Sequence, residues 1–116
     1  MYVLSATKKS RKARIPVGQY SSVVTAIEYD ENYADQEALK VYYKLTTDDG
    51  ASFDYTEVFY NDVANQRTSQ FFDYLSTAGI QEREDGLPEL VGFAETLTLK
   101  RKVGYFIPII IEREPA

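Results

Sequence analysis

The position of the single clear helical segment is the feature that most limits how this chain can fold. Apolar side chains recur at helical spacing from Asp62 to Ala78, and Gly79 follows where a left-handed terminating residue is favoured. Asn61 or Asp62 is suited to capping the first turn. Three strand-like segments precede this helix and two follow it. The order strand–strand–strand–helix–strand–strand predicts a mostly β domain.

The first three strands differ in how clearly their faces can be assigned. The apolar phase slips by one residue between Gln19 and Tyr29, which predicts a β-bulge in the first strand, and 30–36 form a polar connection. The second strand alternates strictly and ends at a hairpin turn, 47–50. Its inward residues are Leu39, Val41, Tyr43 and Leu45, and its outward residues are Lys40, Tyr42, Lys44 and Thr46. In the third strand, 52–60, two registers compete for the inner face: Phe53, Tyr55 and Phe59 against Val58 and Tyr60.

Two more strands are predicted after the helix. Leu90-Val91-Gly92 leads into the fourth, in which Leu97 and Leu99 face inward. The fifth is expected from Tyr105 to Ile111. Because Pro108 cannot donate to a strand ladder, this fifth strand should be an edge strand or locally bulged.

Charge separates a short N-terminal segment from the rest of the chain. Thirteen Lys and Arg against eighteen Asp and Glu give a net charge of −5 over 116 residues. Five of the basic residues fall within seven positions: Lys8, Lys9, Arg11, Lys12 and Arg14. The remaining eight basic and eighteen acidic residues give −10, so binding of a polyanion must be focused on particular patches. We expect a basic arm, 1–14, which either contacts nucleic acid or serves as a solubilising tail, and one folded domain, 15–116.

Several functional classes are disfavoured by composition. Without histidine or cysteine the chain can form neither a Ser-His-Asp nor a Cys-His arrangement, and no zinc site with the usual ligands. The carboxylates cluster in predicted loops, where solvated charge is their ordinary role. We therefore expect a protein that is not an enzyme and needs no cofactor or metal. With no signal peptide and no membrane-length apolar stretch visible, it should be soluble and cytoplasmic.

A binding role rests on three basic patches. Lys40, Tyr42 and Lys44 share the outer face of the second strand, where an aromatic ring between two cations suits base stacking with phosphate neutralisation. The alternative is an ordinary amphipathic edge with lysines for solubility. Lys100, Arg101 and Lys102 lie at the turn between the last two strands, and the arm is the third patch. The full set of candidate nucleic-acid-binding residues is Lys40, Tyr42, Lys44, Tyr55, Lys100, Arg101, Lys102, Lys8, Lys9, Arg11, Lys12 and Arg14.

The element order is that of the OB-fold, a five-stranded Greek-key barrel with its helix between strands 3 and 4. Across 13–111 the chain also resembles the single-stranded-DNA-binding OB proteins of bacteriophages and mobile elements. The matching segments are Ile15-Pro16-x-Gly18-x-Tyr20, Leu39-x-Val41-x-Tyr43-x-Leu45, Arg67, Phe71-x-x-x-Leu75 and Leu90-Val91-Gly92.

The resemblance implies a replication or recombination accessory in the bacterial cytoplasm that coats single-stranded DNA without sequence preference. It also implies contacts with other replication or recombination proteins. The chain departs from housekeeping members, which carry a long acidic tail with a Pro-Phe tip, so recruitment through such a tail is not expected. The alternative is a protein-interaction OB domain, a phage structural or regulatory adaptor, because tyrosine is favoured at protein interfaces as well as in base stacking. Either function is compatible with a homo-oligomer.

Overall fold

The computed structural model describes residues 15–62 and 64–116, so the basic arm, 1–14, lies outside the described residues. The described residues form five strands and one helix, in the expected order. Their bounds are β1 Gly18–Tyr33, β2 Gln36–Thr46, β3 Ser52–Tyr60, α1 Gln66–Thr77, β4 Ala94–Lys100 and β5 Ile109–Pro115. The prediction of a mostly β domain with its helix between the third and fourth strands is confirmed.

The five strands form one antiparallel sheet in the order β3-β2-β1-β4-β5. The sheet is open: within the described residues, no Cα atom of β3 lies within 8 Å of a Cα atom of β5. Paired strands lie about 4.8 Å apart, so the two edges are not hydrogen-bonded to each other. Long side chains join them instead. The Tyr55 hydroxyl on β3 donates to the carbonyl of Pro108 at 2.8 Å, and Arg113 on β5 reaches Glu57 on β3 at 2.9 Å.

The first two strands follow the sequence pattern closely. The pairing of β1 with β2 shifts register between Val24 and Ala26, so the predicted bulge in β1 is confirmed. A bulge increases the local twist and bends the strand. All four residues predicted to face inward from β2 are buried: Leu39, Val41, Tyr43 and Leu45. The predicted β2–β3 turn is also present, with Gly50 at φ +90°.

The ambiguous register of β3 is resolved in favour of Tyr55 and Phe59, which are both buried. Glu57 lies between them on the same face and is only 4% exposed. On β4, the residues predicted to face inward, Leu97 and Leu99, are fully buried, and Glu95 joins them at 2% exposure. The inner face of the sheet therefore carries two carboxylates that alternation of apolar residues does not predict.

The helix starts later than the sequence indicated. Its first residue is Gln66, and its N-cap is Asn65, whose side chain accepts a hydrogen bond from the amide of Thr68. Asn61 and Asp62 were the wrong caps: the Asp62 carboxylate accepts from the amide of Ala64 in a turn before the helix. An Asn or Asp can stabilise such a turn as readily as a helix terminus, so composition alone did not separate the two.

Two other boundaries also differ from expectation. The β1–β2 connection is a two-residue turn, Ala34 and Asp35, because both strands extend into the polar segment assigned to it. The last strand runs from Ile109 to Pro115 instead of from Tyr105 to Ile111. Pro108 lies just before it, where the missing amide donor does not interrupt the ladder. The expectation of an edge strand is confirmed, since among the described strands β5 pairs with β4 alone.

One face of α1 packs against the sheet. Phe71 stacks on Phe59 of β3 with ring centroids 4.0 Å apart, and Thr68 and Leu75 are buried on the same side. The opposite side is exposed, as expected for a short amphipathic helix. Among the residues that the structure describes, there is no helix with the length and apolar character that crossing a membrane requires.

Candidate nucleic-acid interface

The predicted patch on the outer face of β2 is largely neutralised by its neighbours. The Lys40 ammonium lies 3.6 Å from Glu28 and 3.3 Å from Asp30. The Tyr42 hydroxyl donates to Glu28 at 2.8 Å, and this bond raises the pKa of Tyr42. Lys44 is exposed but faces Asp54 across the strand pair. The three residues share one face as predicted, and that face brings three carboxylates, Glu28, Asp30 and Asp54, against two lysines.

Tyr55 is part of the interior. It is 6% exposed, its hydroxyl donates to the carbonyl of Pro108, and burial raises its pKa to about 12. Its ring lies 6.3 Å from the ring of Tyr43 in the core. The position links β3 to the segment that precedes β5 and leaves little of the ring for stacking with a ligand.

The end of β4 and the loop that follows it, residues 101–108, present cations and aromatic rings together. Lys100, Arg101 and Lys102 are exposed, as predicted, and the Arg101 guanidinium lies 3.5 Å from the carbonyl of Phe106 across the loop. Phe106 is 100% exposed and Tyr105 is 53% exposed. Exposed aromatic rings beside cations can stack with bases while neighbouring phosphates are neutralised.

The two aromatic residues of this loop were missed by sequence reasoning because Tyr105 was assigned to the start of β5. The signals that could have revealed them are Gly104, with φ +91°, and Pro108. A glycine that requires positive φ and a proline at the strand entrance together favour a loop between them. We call residues 100–106 the basic–aromatic loop.

A cleft of about 700 Å³ opens beside the basic–aromatic loop. Its walls are the free edges of β3 and β5, the exposed face of α1, and the side chains of Lys102 and Tyr105. Gln66, Arg67 and Gln70 are the residues that α1 contributes near its N-terminal end. We call this space the edge cleft, because it occupies the opening between the two unpaired sheet edges.

At the base of the edge cleft, one buried carboxylate binds two arginines. Arg113 donates from Nη1 and Nη2 to the two oxygens of Glu57, at 3.1 and 2.9 Å. The Arg67 Nη2 atom donates to Glu57 Oε2 at 2.8 Å, and its Nη1 donates to the carbonyl of Val58 at 2.9 Å. The Arg113 side chain is 16% exposed and the Arg67 side chain is 56% exposed. Arg113 therefore satisfies both oxygens from within, and Arg67 is an additional cation at the surface.

The edge cleft is positive in a protein that is negative as a whole. Its charged lining consists of Arg67, Lys102 and Arg113 against Glu57, a net charge of +2, whereas the chain carries −5. A cationic concave surface on an acidic body attracts anions locally. The edge cleft, with the basic–aromatic loop beside it, is therefore the candidate site for an anion.

The basic arm and a possible metal site are the two remaining features expected or discounted from the sequence. Lys8, Lys9, Arg11, Lys12 and Arg14 lie outside the described residues. Within residues 15–62 and 64–116, no three acidic side chains converge in a way that could hold a metal ion.

The comparisons with known proteins give no relative. No family model matches the chain, no curated protein matches it, and no solved structure matches its fold.

Proposed function

We propose that this protein binds single-stranded DNA, without sequence preference and without catalysing a reaction. The observation that carries the proposal is the basic–aromatic loop, in which Lys100, Arg101 and Lys102 adjoin the exposed rings of Tyr105 and Phe106. Bases stack on exposed rings whatever their identity, and lysine and arginine neutralise the phosphates between them. The edge cleft extends this surface with a net positive lining.

The OB-fold is part of the proposal. The strand order β3-β2-β1-β4-β5 leaves β3 and β5 as the two edges that meet when such a sheet curls into a barrel. We infer that the sheet, curled in this way, forms the partly open, five-stranded Greek-key barrel of the OB-fold. In OB-folds the loop between strands 4 and 5 contacts oligonucleotides. The basic–aromatic loop occupies that position. The role we propose is that of a phage or mobile-element accessory in DNA replication or recombination, acting in the bacterial cytoplasm.

Oligo-dT titration tests the proposal directly. Fluorescence anisotropy of labelled oligo-dT should show binding at low salt, with the logarithm of affinity falling linearly with the logarithm of salt concentration, by about 0.7 per phosphate contacted. The triple variant Lys100→Ala, Arg101→Ala, Lys102→Ala should weaken binding and reduce this slope. The matched control is Lys40→Ala, Tyr42→Ala, Lys44→Ala, which alters the neutralised outer face of β2. We expect the smaller loss from this control.

The titration has two results that would contradict the proposal. One is the absence of oligo-dT binding at low salt, and the other is unchanged binding by the loop variant. Greater loss in the β2 variant would move the site to the outer face of the sheet, as the sequence pattern first indicated.

A second candidate function is protein binding, favoured by the apolar tip of the same loop. Val103 is 99% exposed beside Phe106, and aromatic and apolar groups are typical of interface centres. In that case the substitution Phe106→Ala should weaken self-association or partner binding with little dependence on salt. Light scattering at several protein concentrations, with and without oligo-dT, separates this adaptor function from DNA binding.

A further inference from the structure

We propose that the exposed face of α1 is the second wall of the binding site, where Gln66 and Gln70 hydrogen-bond unpaired bases and Arg67 contacts a phosphate. The inference rests on the proposed function and adds residues that no basic cluster in the sequence indicates. The feature recognised is the hydrogen-bonding edge of a base that has no pairing partner.

The wall is built on a fixed element. Gln66 and Gln70 are four residues apart, so both lie on the same side of the helix, and both are exposed and line the edge cleft. The Asn65 cap fixes the start of the helix, and the Thr68 hydroxyl donates to the carbonyl of Tyr60 at 2.9 Å. These contacts hold the first turn of α1 against the end of β3.

The opposite wall supplies the complementary groups. Lys102 and Tyr105 of the basic–aromatic loop line the same cleft, and the Tyr105 ring is half exposed. A strand lying in the cleft would have an aromatic surface on the loop side and amide groups on the helix side. A ring suits the face of a base, whereas a primary amide suits its edge.

Arg67 donates to Glu57 Oε2 and to the carbonyl of Val58, and these two bonds leave other N–H donors of its guanidinium for a ligand. Arg113 already donates to both oxygens of Glu57, and the aromatic rings of Phe71 and Phe59 lie within 6 Å of the Arg113 guanidinium. The Arg67 side chain is 56% exposed and lines the cleft, with its guanidinium against β3. A guanidinium with free donors beside a buried ion pair is well placed to hydrogen-bond a phosphate oxygen.

The chemistry of the helix wall favours single strands over duplexes. A glutamine side chain offers a donor and an acceptor and can pair with the hydrogen-bonding edge of a base. In a duplex the Watson–Crick edges are already paired, whereas in a single strand they are free. The two glutamines of the helix wall should therefore add affinity only for ligands that carry exposed bases.

An abasic ligand isolates the contribution of the bases. We compare Gln66→Ala, Gln70→Ala with Ser69→Ala, Ser76→Ala, which removes exposed polar groups of α1 outside the cleft. Affinity is measured for oligo-dT and for an oligonucleotide of equal length made of abasic sugar-phosphate units. The glutamine variant should bind oligo-dT about tenfold more weakly, for the loss of two hydrogen bonds, and should bind the abasic ligand as the wild type does.

Arg67 is tested by its dependence on salt. Arg67→Gln should weaken binding of both ligands and lower the salt slope by about 0.7, the value for one phosphate on a single strand. Arg67→Lys should retain the slope because it keeps the charge. Thermal unfolding of each variant shows whether the fold is kept. If Arg67→Gln does not fold, the salt slope of Arg67→Lys can still be measured.

The outcomes separate this inference from the proposed function. Failure of the wild type to bind oligo-dT overturns the proposed function and the helix wall with it. If the wild type binds through the basic–aromatic loop but the glutamine variant behaves like the serine control, only the helix wall is wrong. Equal loss on oligo-dT and on the abasic ligand also overturns it, because the glutamines would then not contact bases.

Discussion

Glu57 occupies a position where alternation in β3 places an apolar side chain, and its environment explains how a carboxylate is tolerated there. Both oxygens accept from Arg113, and the Arg113 guanidinium also lies 4.9 Å from the ring centroid of Phe71. The Tyr43 hydroxyl donates to Glu57 Oε1 at 2.8 Å. A buried carboxylate with this many hydrogen-bond partners destabilises the fold little while all partners are present. Removing one partner costs much more free energy of folding.

Removal of the Arg113 guanidinium tests how much this residue stabilises the buried Glu57 carboxylate. Arg113→Met should lower the free energy of unfolding by about 3 kcal/mol, because Glu57 then keeps Arg67 as its one cationic partner in the cluster. The control is Arg83→Met, which breaks the exposed pair of Arg83 with Asp85 and should cost at most about 1 kcal/mol. Adding Glu57→Leu to Arg113→Met should recover part of the loss. Urea denaturation measures all three, and equal effects for the two methionine variants would show that the pair is not buried in solution.

Glu95 is the second buried carboxylate of the inner face. It accepts a hydrogen bond from the Tyr74 hydroxyl of α1 at 2.7 Å, and burial raises its pKa. Tyr74 in turn packs against Phe93, with ring centroids 6.3 Å apart. Together with the Glu57 cluster, this contact connects the helix to both halves of the sheet through polar groups.

At the level of elements, the sequence predicts a strand well where apolar and polar residues alternate along that strand. Leu39 to Leu45 could be assigned because one face of β2 is wholly apolar and the other wholly polar. The bounds of β5 could not be assigned in this way. Glu112, Arg113 and Glu114 resemble a solvated tail, whereas the apolar run before them resembles a strand. The partner of Arg113 is Glu57, 56 residues away, and no local pattern reveals a pair of that separation.

The β1–β2 turn is an element whose sequence does not match its backbone. Ala34 and Asp35 have φ of +49° and +67°, the left-handed region that both central residues of a type I′ turn require. Alanine is strained there because its Cβ crowds the following carbonyl oxygen, and Asn-Gly is the preferred pair.

Replacing this pair should stabilise the hairpin. Ala34→Asn with Asp35→Gly is expected to raise the free energy of unfolding by about 1 kcal/mol. Ala51→Asn, an exposed position without positive φ, should change it by less than about 0.5 kcal/mol. Thermal and urea unfolding check both, and a loss of stability in the double variant would mean that this turn has a different backbone.

Across the whole molecule, the opening between β3 and β5 leaves the sheet unclosed and also forms the candidate site. The side-chain bridge made by Tyr55, Glu57 and Arg113 holds the two edges near each other, and the space above it is the edge cleft. The element order was enough to predict five strands with one helix between the third and the fourth. Whether the edges meet depends on side chains distant in sequence, which is why closure could not be read from the order alone.

Amide hydrogen exchange should report both the opening and its occupant. The amides of β1, which pairs on both sides, should exchange more slowly than those of β3 and β5 that face the opening, because these edge amides have no backbone acceptor across it.

Saturating oligo-dT should then slow exchange in residues 100–113 and at the start of α1, with little change at the Ala34–Asp35 turn. The triple variant of Lys100, Arg101 and Lys102 is the control and should show no such protection. Edge amides as slow as those of β1 in the free protein would indicate a closed barrel or an edge covered by a second copy, and protection centred on β2 would contradict binding in the edge cleft.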